Sequence, residues 1–292
     1  MTIAGQRTRP GRRLALHLFL VLLSLAWLAP LVSVLLTSLR PYRESFTRGY
    51  FSRPFTLNVD NYRTAWEQAD FALRYWNTAL ILVPALILTL FASSVMAFVC
   101  SRFSWRFNVG FLLLFAAGGL LPQQIIIQPL FLMYKAVPLP EVLSNSGGLL
   151  GSTWGIIMVH VAYQSGFCTF ILSGYMKRLP AEISEAAIVD GANPWQHYWR
   201  VILPLCRPVL AALTALEFTW IYNDFFWALI LEQQFDDRPI TSSLTNLAVG
   251  FSPDFNVISA ASALVALPPI IVFVLLQRYF TSGLGMGLVQ DE

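Results

Sequence analysis

Leu179-Pro180-Ala181-Glu182-Ile183-Ser184-Glu185-Ala186-Ala187-Ile188-Val189-Asp190-Gly191, running on to Val201-Ile202-Leu203-Pro204, is a polar island in the apolar second half of this chain. Pro180 suits a first helical turn, Glu182 and Glu185 favour the positive end of a helix dipole, and Ala186 and Ala187 add propensity with little bulk. Gly191 lets the backbone take a conformation that a β-carbon resists, so one helix can stop there and another begin near Asn193 and Pro194. The stretch therefore predicts helix, turn, helix, with a small smooth face suited to a groove in a soluble partner. The plain alternative is an ordinary amphipathic loop.

Outward from this island the chain is apolar. Of its 292 residues, 56% are hydrophobic and only 12% charged, and the mean hydropathy is +0.60. A soluble domain carries about twice that charge. The charges are clustered, leaving windows long enough for spans of about 20 residues. The expected fold is all-α and polytopic, with six spans at about 14–37, 77–100, 107–133, 153–175, 204–231 and 255–277. Residues 1–13 form a basic tail, 14–280 the transmembrane domain and 281–292 a second tail, with a loop at 179–204 between spans 4 and 5.

Several details follow. Arg7, Arg9, Arg12 and Arg13 precede an apolar run from Leu14 to Thr37 that is too long for a signal peptide, so the first span is expected to remain uncleaved. Pro30 is expected to bend that span. Asp60 is expected to cap a helix with Tyr62, Ala65, Trp66 and Ala69 along one side, lying on the membrane surface. Arg102 and Arg106 fall in a turn after span 2, and Gly118-Gly119, Pro122 and Pro129 interrupt span 3. Cys100, Cys168 and Cys206 read as small apolar packing residues without disulfides.

Six spans put both ends on one side, and the basic residues indicate which. With a cytoplasmic amino terminus, eleven of the nineteen Lys and Arg residues lie inside. Six arginines in the first outer loop, Arg40, Arg43, Arg48, Arg53, Arg63 and Arg74, run against the positive-inside rule. The other connections outweigh them.

Candidate chemistry lies within the spans, where ionisable groups are costly and face a bundle interior or cavity. Glu217, Trp220 and Asp224 share one face of span 5, with Glu217 roughly 20 Å and Asp224 roughly 30 Å from Pro204. With Asn223 they suit a solute path, since carboxylates and an indole hold sugar hydroxyls and ring faces. Alternatively Glu217 bonds a neighbouring helix and Asp224 caps the outer end. Gln123, Gln124 and Gln128 follow Pro122 and either face a cavity or make packing hydrogen bonds. His160 reads as a satisfied packing histidine.

An enzyme reading has no residues behind it. A P-loop needs Gly-Lys-[Ser/Thr], whereas the two lysines are Lys135 after Tyr134 and Lys177 after Met176. No His/Cys metal cluster and no Gly-x-Ser-x-Gly turn occurs.

The spacing of Glu-Ala-Ala, three residues, Gly, nine residues, an aliphatic residue, one more, then Leu-Pro resembles the signature loop of ABC-importer permeases, with Val201 where isoleucine is commoner. Tyr175-Met176-Lys177-Arg178-Leu179-Pro180 and Leu205-Cys206-Arg207-Pro208 resemble the carbohydrate-uptake branch, typified by the smaller maltose permease subunit. So do Asn61-Tyr62, Asn77-Thr78, the run Trp220 to Trp227 and Gln277 to Leu284.

The resemblance spans Asn61 to Leu284. It implies a permease subunit in a prokaryotic inner membrane, with both termini cytoplasmic. The implied partners are a second homologous permease, an ATPase dimer carrying the ATP and magnesium, and an external solute-binding protein delivering a sugar or sugar-like solute; no nucleic acid is implied. Glu182, Glu185, Ala186, Ala187, Asp190, Gly191, Leu203 and Pro204 would couple the chain to the ATPase, and no cofactor would bind this chain. A Gly-rich basic tail is usual in this branch, but residues 285–292 end acidic. Importers of peptides, polyamines or phosphate esters share the loop, and an ion-driven transporter or a membrane scaffold are the other classes considered.

Overall fold

The computed structural model describes residues 10–50, 56–119, 121–144, 146–232, 238–248 and 253–285. Arg7, Arg9, Arg53 and the acidic tail beyond Gly285 lie outside the described residues. The regular secondary structure among the described residues is helical, with one isolated bridge between Pro138 and Gly148. In chain order the helices are α1 (Pro10–Ser38), α2 (Tyr42–Arg48), α3 (Asp60–Gln68), α4 (Phe71–Arg102), α5 (Asn108–Gly118), α6 (Gln123–Ala136) and α7 (Thr153–Lys177). They continue as α8 (Ala181–Val189), α9 (Pro194–Gln196), a π-helical turn (His197–Ile202), α10 (Leu203–Leu205), α11 (Arg207–Tyr222), α12 (Phe226–Leu231), α13 (Ile240–Ala248) and α14 (Phe255–Gly285).

Among the described residues, four stretches are long and apolar enough to cross a membrane: α1 from Gly11, α4, α7 and α14 as far as Gln277. Two more reach that standard only as bent pairs, α5 with α6 at 97° and Pro194–Leu205 with α11 at 75°. The span expected at 107–133 is therefore two helices. Pro122, extended at ψ 129, starts α6, while Pro129 is accommodated within it. Tyr163 of α7 donates its hydroxyl to the carbonyl of Leu121, satisfying a group that the break exposes.

The span expected at 204–231 is broken as well, at Asn223 to Phe225, with no glycine or proline there. The Asp224 carboxylate accepts from the amides of Trp227 (3.3 Å) and Ala228 (3.2 Å), taking the role that carbonyls one turn earlier would fill. A new helix, α12, begins beyond it.

The chain divides into two compact units. In the first, Met1–Ala69 with Leu244–Val265, side-chain amides bind exposed helix-end carbonyls. Asn61 donates to the carbonyls of Ser38 and Arg40, both at 2.8 Å, and Asn256 donates to those of Thr37 (3.0 Å) and Arg40 (2.8 Å). Arg40, 1% exposed, donates to the carbonyls of Gly49 and Tyr50. Asp60 is not the cap expected: Val59 holds that position, and the Asn58 side chain receives the Asp60 amide at 2.7 Å. Asn61 and Ala65 are the buried residues of α3, whereas Trp66 is exposed.

In the second unit, Asp70–Ser243 with Ala266–Glu292, α4 packs along α7. Helix α4 begins six residues ahead of the expected Asn77, because Phe71 and Arg74 are both buried and carry the helix through a polar sequence. It also ends on Arg102, whose guanidinium donates to the Met176 carbonyl at 2.9 Å and satisfies the end of α7. Small residues allow close approach: Thr89, Ser93 and Ala97 recur every fourth position of α4, and Ser93 donates to the Ser165 carbonyl. A β-carbon on Gly166 would stand 2.4 Å from the carbonyl oxygen of Phe115, so this glycine sets how closely α5 meets α7. Ala97, Phe98, Leu172, Met176, Tyr198, Ile202 and Val209 form the core beneath α8 and the π-helical turn.

Candidate functional site

The first site is the helix-turn-helix at 181–205. Helix α8 ends in a Schellman arrangement. The amide of Ala192 binds the carbonyl of Ala187 and that of Gly191 binds Ile188, both at 3.0 Å, with Gly191 at φ +79°. Two residues on, Asn193 and Gln196 form a reciprocal capping box with Pro194 at the first helical position. The turn is thus locked on both sides.

Of the residues expected to couple, Glu182, Glu185, Ala186, Asp190 and Gly191 are exposed, Ala187 is buried, and Leu203 and Pro204 are half-buried. Ile188 (65% exposed) and Val189 (86%) join the outer face. Their apolar character was visible in sequence, but their orientation was not.

Beneath α8, His197 shares a hydrogen bond with Ser184 at 3.1 Å, and Phe98 meets its ring edge-on. Burial, then the positive charge of Arg102, pull the His197 pKa below 6.5. The adjoining Tyr198 hydroxyl pairs with Ser94 of α4 at 2.7 Å. From here the chain runs through the π-helical turn and α10 into α11.

The second site is a cavity of about 900 Å³ where α7 faces the break between α11 and α12. Gln123, His160, Tyr163, Gln164, Asn223 and Asp224 bring polar groups to its wall, and Phe167, Phe170, Trp220 and Phe225 bring aromatic ones. Trp220 and Phe167 stand 5.3 Å apart between ring centroids. Asp224 is held by the two α12 amides and, through its carbonyl, by the Thr241 hydroxyl at 2.6 Å. His160 Nε2 lies 3.5 Å from Asp224 Oδ2 without a well-aligned hydrogen bond, so this histidine is not the satisfied packing residue expected.

Four expected path residues, Gln123, Trp220, Asn223 and Asp224, meet at this cavity. Gln124 and Gln128 are exposed and are not among its lining residues. Glu217 is fully buried away from the wall, accepting from the Cys168 thiol at 3.0 Å. Asp224 both caps a helix and lines the cavity, so the two alternatives were not exclusive.

His160, Tyr163, Gln164 and Phe167 are among the lining residues that sequence reasoning missed, although their i, i+3, i+4, i+7 spacing marks one face of α7. A smaller cavity of about 550 Å³ beside Lys135 and Gly148 contains no span 5 residue. Among the described residues no group of three His, Cys, Asp or Glu side chains could hold a metal ion. Aromatic faces, amides and one carboxylate suit a hydroxylated ring that binds by stacking and hydrogen bonds.

A family described as binding-protein-dependent transport system inner membrane component matches residues 3–285. A probable ABC transporter permease of Pyrococcus horikoshii is 31% identical over 267 residues, covering 90% of this chain and 92% of that one. A diacetylchitobiose uptake system permease of Streptomyces coelicolor is 28% identical over 273 residues, covering 93% and 87%. Among solved structures, a bacterial ABC transporter that imports the acidic polysaccharide alginate has a chain with a similar fold. Its TM-score is 0.80 at 23% identity, with 96% of this chain and all of that one covered.

Proposed function

We propose a function from the premise that this chain belongs to the family of binding-protein-dependent transport system inner membrane components: it is a six-span permease subunit of an ATP-driven importer for a sugar or sugar-like solute. It lies in the membrane with both termini cytoplasmic. It pairs with a second permease, receives solute from an external binding protein, and docks α8 into a separate ATPase dimer that binds ATP and magnesium. The sugar assignment is supported by the diacetylchitobiose relative and by the chemistry of the cavity wall.

The observation that carries this reading is the connection between the two sites. Helix α8, exposed on its outer face, rests on the segment that leads through the π-helical turn into α11, and the far end of α11 lines the cavity. A push on α8 thus has a continuous route along the chain to the solute path. ATPase closure would move α8 and reorient α7 and α11, switching the cavity between the two membrane faces.

The test is uptake and ATP hydrolysis by the reconstituted transporter. Gly191→Pro breaks the turn that orients α8, and Glu185→Arg reverses a charge on its exposed face. Either variant is expected to insert normally and still hydrolyse ATP, with solute uptake reduced about tenfold or more. Normal uptake in both would exclude α8 as the coupling element.

A further inference from the structure

The cavity wall carries one carboxylate and one imidazole, and among its described lining residues there is no lysine or arginine. We propose that this cavity is a subsite for uncharged saccharides and that Asp224, held beside His160, excludes uronic acids. The proposal rests on the reading of the chain as a sugar permease, and adds which sugars the path accepts and which residue decides.

Asp224 cannot readily turn from the wall. Two backbone amides hold its carboxylate and Thr241 holds its carbonyl. Its charge therefore stays where a solute passes.

Two further wall groups have unused hydrogen-bonding capacity. His160 Nε2 and Gln164 Oε1 are buried, lie one helical turn apart on α7, and have no well-formed hydrogen bond. Buried polar atoms normally find partners; His160 Nε2 has only the Asp224 carboxylate at 3.5 Å and Gln164 Oε1 has none among the described residues, which on a cavity wall points to a ligand that supplies them. A sugar hydroxyl both donates and accepts and can satisfy either atom. Trp220 and Phe167 offer faces to the apolar side of a pyranose ring.

A uronate brings a second negative charge to the same wall. His160 already faces Asp224 at 3.5 Å, and no lysine or arginine stands among the described lining residues to receive a carboxylate. Juxtaposed like charges are a common device for rejecting a near-isosteric ligand.

The test uses the transporter purified with its co-purifying partners, in nanodiscs and without binding protein, so that only the membrane path selects. Equilibrium binding is measured for cellobiose and for its uronic acid counterpart, cellobiouronate. Cellobiose is expected to bind saturably and cellobiouronate about tenfold or more weakly.

Asp224→Asn keeps a side-chain oxygen for the Trp227 amide while removing the charge, and is expected to close most of that gap. Gln164→Leu is expected to weaken cellobiose about tenfold. Absence of saturable binding, equal affinity for the two sugars, or an unchanged preference in Asp224→Asn would each overturn the proposal. ATP-driven uptake by the unmodified complex with its binding protein is measured alongside. If uptake occurs while the cavity variants change nothing, the subsite fails and the permease reading stands; if uptake and ATP hydrolysis are absent, the permease reading itself fails.

Discussion

Gly191 shows how much one residue can determine. At φ +79° it closes α8, and nothing lies within 4 Å of the position a β-carbon would take, so the need for glycine comes from the backbone alone. Gly191→Ala is expected to cost about 1 kcal/mol locally, read as faster hydrogen exchange across α8 with no shift in the thermal unfolding of the spans. The requirement was legible in sequence because a left-handed conformation is a local property. Asp224 is the opposite case. Its side chain restarts a helix where no glycine or proline signals a break, and the largely aromatic apolar sequence on either side reads as continuous. Glu217 was placed on the same face by spacing, yet it points into the packing against Cys168. Helical spacing gives direction around an axis, and only the neighbouring helix decides whether that direction meets a cavity or a core.

Among the elements, α8 is tied to the π-helical turn by His197. The imidazole bonds Ser184, is buried, and lies near the positive Arg102, so the folded state favours its neutral form and keeps its pKa below 6.5. The undocked state binds the proton more readily. Its contribution to docking is therefore complete above about pH 6.5 and is lost as pH falls through the lower folded value. Hydrogen exchange of the amides in α8 and the π-helical turn is expected to accelerate between pH 7.5 and 5.5, and a His197→Gln variant should lose most of that pH dependence. The existence of α8 and α9 was readable from proline, carboxylates, glycine and the Asn193 cap. The π-helical turn was not, because its extra residue per turn serves the burial of His197, Tyr198 and Ile202 against α4 and α7. The i, i+3, i+4, i+7 face of α7 was legible but ambiguous, since polar residues at that spacing serve packing and cavity walls alike.

At the scale of the whole molecule the open question was orientation. Six arginines in the loop expected to be the first outer one argued against a cytoplasmic amino terminus, but two of them are buried in the fold. Arg40 and Arg74 are 1% and 4% exposed, and Arg63 pairs with Glu67 at 2.9 Å. A buried arginine bound to backbone carbonyls is part of the fold and weakens any count that treats it as a free topogenic charge. With the amino terminus cytoplasmic, Val189→Cys is expected to react with an impermeant thiol reagent only from the cytoplasmic side, and Thr47→Cys only from the outside. Reaction of Val189→Cys from the outside would invert the topology. The sequence by itself determined that the chain is helical and membrane-embedded and that a helix-turn-helix interrupts its apolar half, because hydropathy, dipole preference, capping and left-handed glycine act over a few residues. Only the tertiary structure decided that α5 and α6 form a bent pair, that α12 restarts beyond Asp224, and that His160, Gln164, Trp220 and Asp224 line one cavity. Those features depend on which helix lies alongside which, and on polar atoms satisfied or left open across a helix interface, which no local pattern encodes.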